Sequence, residues 1–320
     1  MNIYGGDGFE VANELLFESV YTEEGEHHQE EEYDPWLYAE TDAHGKRYDF
    51  KILGTAHDDV ECHPHVLSPI HMDRFQHYLP NALRGESFWL KYSLVRDGAS
   101  SLSLLQQVRG SPYTLFAMET VDGEVFGGFF ATAWTVQGEE YFGRGESFLW
   151  KMKHRRGSSS TMHDSSSTST SNHSHTTLED SFSSRDSLSE QVDREADLVI
   201  YPAEAYYGNH FYQLCTHDKL AAGGGACDFP KDFGNGRGTY APHEIGFGLL
   251  FEEGSMMEGS SAACLTYRSP PLSDLHPDGS TFEVVNLEVW GFTPCRTEKD
   301  ARTLEYKNMF FQQHARRAAK

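Results

Sequence analysis

The fold is decided by GFGLLFEEGSMMEGSSAACLTYRSPPLS at residues 246–273 and by FEVVNLEVWGF at residues 282–292. Both segments contain short runs of apolar and aromatic residues that glycines or prolines interrupt. Such runs are typical of short strands joined by tight turns, because glycine adopts turn conformations readily and proline cannot donate to a strand ladder. We therefore predict strands at residues 246–251, 263–267 and 282–290.

A β-hairpin is predicted earlier in the chain, at residues 113–125. Asp122-Gly123 lies between two runs that are rich in strand-forming residues. An Asp-Gly pair in this position favours a type I′ turn, in which both central residues have positive φ. Further strands are predicted at residues 89–94, 147–151, 199–201 and 211–215.

Helices are predicted at only a few places. Ser68-Pro69 has the N-cap and N1 residues of a helix start, and a second helix in SSLSLLQQV would end at Gly110. Residues 298–319 contain no glycine or proline and are compatible with a terminal helix. We therefore predict a mainly β or α+β fold, a two-sheet antiparallel β-sandwich with a few flanking helices.

The chain is predicted to contain one domain with two appended regions. Residues 1–62 are acidic and expected to be largely disordered, residues 63–297 form the domain, and residues 298–320 form a C-terminal helix or tail. Serine and threonine dominate residues 157–190, which we interpret as a disordered insertion because such a segment buries too little apolar surface to offset its ordering entropy.

Composition excludes several classes of function. The formal net charge of -23 argues against nucleic acid or an anionic membrane as the main partner. No apolar run is long enough for direct membrane insertion, and the N-terminus lacks the pattern of a signal peptide. The five cysteines are odd in number and contain no CxxC pair, which favours free thiols in the cytoplasm.

The sequence contains no convincing catalytic or cofactor motif. GxSxG, HExxH and GxxxxGK[ST] are all absent, so we predict no cofactor and no enzyme activity. Cys62-His63-Pro64-His65 and Cys215-Thr216-His217 are local donor clusters, but neither has the second pair that a zinc site needs. The glycines at 223–225 and 234–238 are interpreted as turn residues.

An ordered series of short motifs resembles the TLDc family, the domain of oxidation-resistance proteins. The motifs are LP at 79–80, WLKYSLVRDGASSL at 89–102, VDGEVFGGF at 121–129, YFGRGESFLW at 141–150, AAGGG at 221–225 and the two segments quoted above. The resemblance implies a two-sheet β-sandwich, a role in oxidative stress resistance and no agreed catalytic residues. It also implies binding to peripheral subunits of the vacuolar proton-pumping ATPase, in the cytoplasm or peripherally at endomembranes.

Candidate residues for partner binding or for specifying the fold lie in these motifs. They are Asp97, Gly98, Gly143, Gly145, Glu146, Gly223, Gly224, Gly225, Glu288, Trp290 and Gly291. We expect the turns at 143–146 and 223–225 to be exposed. Glu146 and Glu288 have aromatic neighbours and are compatible with an acid of raised pKa, although a hydrogen bond that holds a turn is the favoured role for both.

Three further hypotheses remain open from the residues alone. Cys62, flanked by histidine, is the candidate for a thiol that consumes peroxide directly. Arg155-Arg156-Gly157-Ser158 matches a simple basic-kinase pattern, which makes Ser158 a candidate phosphosite. A third hypothesis is a scaffold that uses the acidic N-terminal region.

Overall fold

A computed structural model describes residues 47–55, 65–156, 197–203, 210–225, 246–277 and 279–318 of the 320-residue chain. The strands are β1 Ile52–Leu53, β2 Ser87–Ser93, β3 Thr114–Thr120, β4 Val125–Phe130, β5 Phe148–Met152, β6 Leu198–Pro202, β7 Gln213–Cys215, β8 Leu220–Ala222, β9 Leu249–Phe251, β10 Glu258–Ser260 and β11 Thr281–Thr293. The helices are α1 Pro69–Phe75, a 3-10 turn Asn81–Leu83, α2 Leu94–Asp97, α3 Ser101–Gln107 and α4 Glu298–Ala318.

The long strand β11 joins two groups of strands. Its first residues pair with β10, and the order continues β10-β9-β8-β7. Its later residues pair with β3 on one side, continuing to β4, β5 and β6, and with β2 on the other. All of these pairings are antiparallel. Among the described strands, the pair formed by β1 and β2 is the parallel one. The prediction of a mainly β, antiparallel fold with few helices is confirmed.

The larger group of strands, β1 to β6 with β11, has an apolar core against each of its two faces. Alternate residues of β3 point in opposite directions, so that Phe116 and Met118 join one core while Leu115 and Ala117 join the other. The first core includes Leu220, Leu249 and other residues of the smaller group, β7 to β10. The second core lies under α1 and the segment before it. The larger group is therefore the middle layer of the domain.

Helix α1 begins as its sequence predicts. The Ser68 hydroxyl accepts a hydrogen bond from the His71 amide, the His71 ring accepts one from the Ser68 amide, and Pro69 occupies the first turn. Met72 and Phe75 bury one face of this short helix in the second core. Cap and apolar spacing together fix its position on the sheet.

The β3–β4 hairpin forms, but the type I′ turn was a wrong prediction. Gly123 has φ +77, whereas Glu253 and Arg268 are the described non-glycine residues with positive φ, so Asp122 does not adopt it. The Gly123 amide donates to the Thr120 carbonyl over 2.9 Å, which closes a four-residue turn that ends on the glycine. An Asp-Gly pair also suits this longer connection, in which glycine alone needs the left-handed conformation.

The strand predicted at residues 263–267 is also wrong. Cys264 forms one isolated bridge with Ser269, and the residues between them form turns. The residues there are apolar because they pack in the core, where Cys264 and Tyr267 are almost fully buried. The short strands β1, β8 and β10, of two or three residues each, were not predicted.

The first turns of α4 attach to the larger group of strands. Ala301 is buried, and the Lys91 ammonium contacts the Glu305 carboxylate over 2.7 Å. Burial lowers the pKa of Lys91, and the charge of Glu305 acts in the opposite direction. Among the described residues, no helix has the length and apolar content to cross a bilayer. The predicted insertion at 157–190 lies outside the described residues, as do residues 1–46 and 56–64.

Candidate partner-binding surface

The 143–146 turn is a candidate segment in which three consecutive residues are exposed. Phe142 forms an isolated bridge with Gln213 of β7 through two backbone hydrogen bonds of 2.9 Å. Gly143 has φ +114, and a Cβ there would lie 2.8 Å from the Cβ of Tyr212. The backbone of the turn is therefore held against β7. The exposed residues that follow are Arg144, Gly145 and Glu146.

This turn presents one cation and one anion from a fixed backbone. The Ser147 amide donates to the Arg144 carbonyl over 3.2 Å, which closes the turn, and Ser147 itself is buried. Charged side chains on a fixed backbone lose less conformational entropy on binding than those of a flexible loop. The arrangement is therefore suited to recognising a protein surface of complementary charge.

Glu288 lies in the protein interior, where it connects two chain segments, residues 65–67 and β11. Its carboxylate is fully buried and bonds to the Nδ1 of His65 over 2.7 Å. It also accepts hydrogen bonds from the Trp290 indole N–H over 3.1 Å and from the Leu67 amide over 3.4 Å. We call Glu288, His65 and Trp290 the Glu288 cluster. Its geometry fastens the segment before α1 to β11 and supports the favoured role of Glu288 as a structural hydrogen-bond acceptor.

The glycines at 223–225 are buried, so the expectation of an exposed turn there was wrong. A Cβ on Gly223, which has φ +80, would lie 2.3 Å from the Cys264 sulfur. The Gly224 amide donates to the Thr266 hydroxyl over 3.2 Å, and the Leu265 amide donates to the Gly225 carbonyl over 2.9 Å. These three glycines let the 264–267 turn approach closely. Gly291 is likewise buried in β11.

Asp97 and Gly98 end the short helix α2. The Asp97 carboxylate accepts a hydrogen bond from the Ser93 amide over 2.9 Å and pairs with Arg96. Arg96 in turn donates to the Gly54 and Lys91 carbonyls, and the Tyr92 hydroxyl donates to the Gly98 carbonyl over 2.6 Å. Burial and the charge of Asp97 raise the pKa of Tyr92. The side chains of this motif therefore hold the surrounding backbone in place, and the motif is only partly exposed to solvent.

The sequence analysis did not predict a buried contact between Glu124 and Ser273. The Ser273 hydroxyl bonds to the Glu124 carboxylate over 2.5 Å, and His276 lies 3.0 Å from that hydroxyl. Glu124 also accepts from the Asp274 and Leu275 amides. The serine lies between the glutamate and the histidine, whereas a nucleophilic triad needs the histidine in the middle. The only advance signal was Glu124 within VDGEVFGGF, and its partners are 149 residues away or more.

Arg156 is a second contact that sequence reasoning missed. Its guanidinium pairs with Glu119 over 2.6 Å and donates to the His65 and Val66 carbonyls. Its backbone amide donates to the Gly123 carbonyl over 2.8 Å. Arg156 therefore anchors the last described residue before the 157–190 segment to the β3–β4 hairpin. Ser158 lies outside the described residues.

The described part of the chain includes three free cysteines, of which Cys215 and Cys264 are buried and Cys295 is partly exposed. Burial raises the pKa of Cys215 to about 11 and also raises the pKa of Cys264, so both thiols are poor nucleophiles at neutral pH. Cys62 lies outside the described residues, as do His63 and Pro64. Within the described ranges, no group of three or more His, Cys, Asp or Glu residues could hold a metal ion.

These features define a β-rich domain whose motif residues mainly build its interior and whose charged 143–146 turn faces solvent. The chain belongs to the TLDc domain family, whose model matches residues 61–178 and 179–293. The chain is 28% identical over 233 residues to "Oxidation resistance protein 1" of Podospora anserina and 29% identical over 238 residues to the protein of that name in Gibberella zeae. Each alignment covers 70% of this chain, but only 59% and 65% of the respective relatives.

Proposed function

We propose that this chain is a non-enzymatic protein of oxidative stress resistance that binds and regulates the peripheral sector of the vacuolar proton-pumping ATPase. Membership of the TLDc family and two relatives named for oxidation resistance support the stress role. The proposed location is the cytoplasm, with peripheral association at endomembranes where the pump resides. Protein subunits are the proposed partners, and no cofactor is needed for this activity.

The observation that carries the proposal is the exposure of the 143–146 turn within a buried family motif. Phe148 and Trp150 of the same YFGRGESFLW segment are buried in β5, whereas Arg144 and Glu146 are exposed. The backbone of the turn is fixed to β7, and its two charged side chains point to solvent and not into the interior of the domain. A contact with a charged protein surface gives these side chains a role that the fold itself does not require.

The proposed mechanism of regulation is differential affinity. A protein that binds the detached peripheral sector more tightly than the assembled pump shifts the equilibrium toward detachment by the difference in binding free energy. A tenfold preference corresponds to about 1.4 kcal/mol. Stress resistance then follows from altered acidification of organelles, without any reaction at the chain itself.

Capture from extracts tests the proposal directly. The purified full chain is immobilised and incubated with cytosolic and membrane extracts, and bound proteins are identified by mass spectrometry. We expect peripheral ATPase subunits to be retained. Their absence from both extracts, while the protein is folded by circular dichroism, would overturn the proposal.

The thiol alternative is separated from this proposal by one variant. Cys62→Ser removes the candidate peroxide-reactive thiol, and the binding mechanism predicts that stress protection in cells is unchanged. Loss of protection, together with peroxide consumption by the purified wild-type chain, would favour a thiol enzyme instead. Deletion of residues 1–62 tests the scaffold hypothesis, since only that hypothesis predicts loss of partner capture.

A further inference from the structure

Three large apolar side chains are exposed around the junction of β3, β10 and β11. Val121 is 60% exposed, Met257 is 55% exposed and Val285 is 53% exposed. The Val121 amide donates to the Glu283 carbonyl over 3.0 Å, and the Val284 amide donates to the Met257 carbonyl over 2.8 Å. Backbone contacts therefore hold the three residues in one neighbourhood.

The outward position of Val285 follows from the path of β11. Exposed and buried residues alternate from Thr281 to Asn286, and the register against β3 shifts between Val284 and Asn286. Val284 and Asn286 are buried, so the irregularity leaves Val285 on the outer side of the sheet. Bulges of this kind re-aim side chains and are typical of functional surfaces.

Two carboxylates face each other beside these apolar residues. Glu258 of β10 is the direct cross-strand partner of Glu283 of β11, and both are exposed. Within the described part of the chain, neither carboxylate forms an ion pair with a lysine or arginine. Like charges in directly opposed positions destabilise a sheet. We call Val121, Met257, Glu258, Glu283 and Val285 the acidic apolar patch.

Leu102 extends this surface at the adjacent helix. It is 62% exposed at the start of α3, and the preceding Ser101 amide donates to the Gly254 carbonyl over 2.8 Å. Met256 donates its amide to Ala99, so the first residues of α3 lie directly against the β9–β10 turn. Exposed Glu253 belongs to that turn and adds negative charge, whereas the neighbouring Glu252 pairs with Lys219 over 3.3 Å.

We propose that the acidic apolar patch binds a segment of another protein in which lysine or arginine residues alternate with large apolar residues. Apolar anchors of such a segment cover Val121, Met257 and Val285. Its cations neutralise Glu258 and Glu283, which removes the repulsion between them. Charge complementarity thus selects the partner, while burial of the apolar residues supplies binding free energy.

Charge also argues against a second copy of this chain as the occupant. The chain has 49 acidic and 26 basic residues, for a formal net charge of -23. Several of its described cations already form ion pairs, including Lys91, Lys151 and Arg156. Two copies would therefore bring negative surfaces together and would supply few cations for the patch.

The patch is separate from the 143–146 turn. The patch lies around the end of β3, β10 and the first half of β11, whereas the turn packs on β7, three strand positions from β10. At about 4.8 Å for each strand spacing, this separation is roughly 15 Å. The inference therefore stands whether or not the proposed function is correct.

A dye-labelled synthetic peptide in which single leucine and lysine residues alternate serves as the probe. Its binding to the full chain is measured by fluorescence anisotropy at physiological ionic strength. We expect Glu258→Lys/Glu283→Lys to weaken binding at least tenfold and Met257→Ser/Val285→Ser to weaken it at least threefold. The matched control is Glu139→Lys/Glu140→Lys, which makes the same change of charge at two exposed residues outside the patch.

The control decides between a specific surface and general attraction to an acidic protein. The inference holds if the control variant binds the peptide within twofold of wild type. Equal weakening by the control and the patch variants would overturn it. It would also be overturned if the chain forms dimers that Met257→Ser/Val285→Ser abolishes, because a second copy would then be the occupant.

Discussion

The 143–146 turn and the Glu288 cluster both lie within the TLDc match, yet they occupy opposite environments. The turn presents Arg144 and Glu146 to solvent from a backbone fixed on β7. In the cluster, the Glu288 carboxylate is fully buried and is hydrogen-bonded to His65 and the Leu67 amide of a distant chain segment. Two glutamates from similar motif contexts therefore have different roles, because one carries structural contacts and the other is free to meet a partner.

The largest effect is expected when the buried glutamate is removed. Glu288→Ala leaves His65, Trp290 and the Leu67 amide without their shared acceptor. Breaking a buried polar network of this kind costs about 3–5 kcal/mol of unfolding free energy. Urea denaturation followed by tryptophan fluorescence measures the loss. Glu146→Ala is the matched control, and similar losses in both variants would contradict the division between interior and surface.

The glycines give a second test of the same division. Gly223→Ala forces a side chain into left-handed backbone and places its Cβ against the Cys264 sulfur. Strain and overpacking together are expected to cost about 2–4 kcal/mol. Gly145→Ala meets only the Tyr212 hydroxyl at 3.3 Å and should change stability by less than about 0.5 kcal/mol. Thermal unfolding of the two variants gives the comparison, and equal melting temperatures would refute it.

Alkaline pH should lower the stability of the fold through the buried thiol of Cys215. The folded-state pKa of Cys215 is about 11, above its ordinary value of 9.0, because burial disfavours the thiolate. A raised folded pKa contributes stability that is present below pH 9 and is lost as pH rises toward 11. We expect the melting temperature to fall across this window and the slope to be shallower in Cys215→Ala. An unchanged slope in that variant would show that other buried groups, such as Tyr92, dominate.

The smallest expected effect on stability is a gain within the acidic apolar patch. Glu258→Lys converts the opposed Glu258–Glu283 pair into an opposite-charge pair. Such cross-strand pairs contribute about 0.2–1 kcal/mol. The unfolding free energy should therefore rise at low ionic strength, and the gain should shrink in 1 M salt. A loss of stability would mean that Glu258 has a structural role.

Local sequence signals predicted much of the framework. Ser68-Pro69 located α1, and glycine-punctuated apolar runs located most of the longer strands. They did so because a cap or a turn is determined by a few adjacent residues. The prediction of a strand at 263–267 was wrong because the apolar residues there were interpreted as a strand pattern, whereas they are buried in a turn.

Local sequence signals could not predict contacts between residues that are far apart in the chain. Glu124 meets Ser273 across 149 residues, and His65 meets Glu288 across 223. The burial of residues 223–225 likewise depends on the 264–267 turn that packs on them. The partners of Asp97, in contrast, are its sequence neighbours Ser93 and Arg96.

The most direct test of the central claim is a charge swap in the exposed turn. Arg144→Glu/Glu146→Lys leaves the net charge unchanged and alters no contact of the interior. Capture of peripheral vacuolar-ATPase subunits by this variant is measured beside wild type, together with the melting temperature of each. We predict at least a tenfold loss of capture with the melting temperature unchanged. Undiminished capture by the folded variant would contradict the assignment of partner binding to the 143–146 turn.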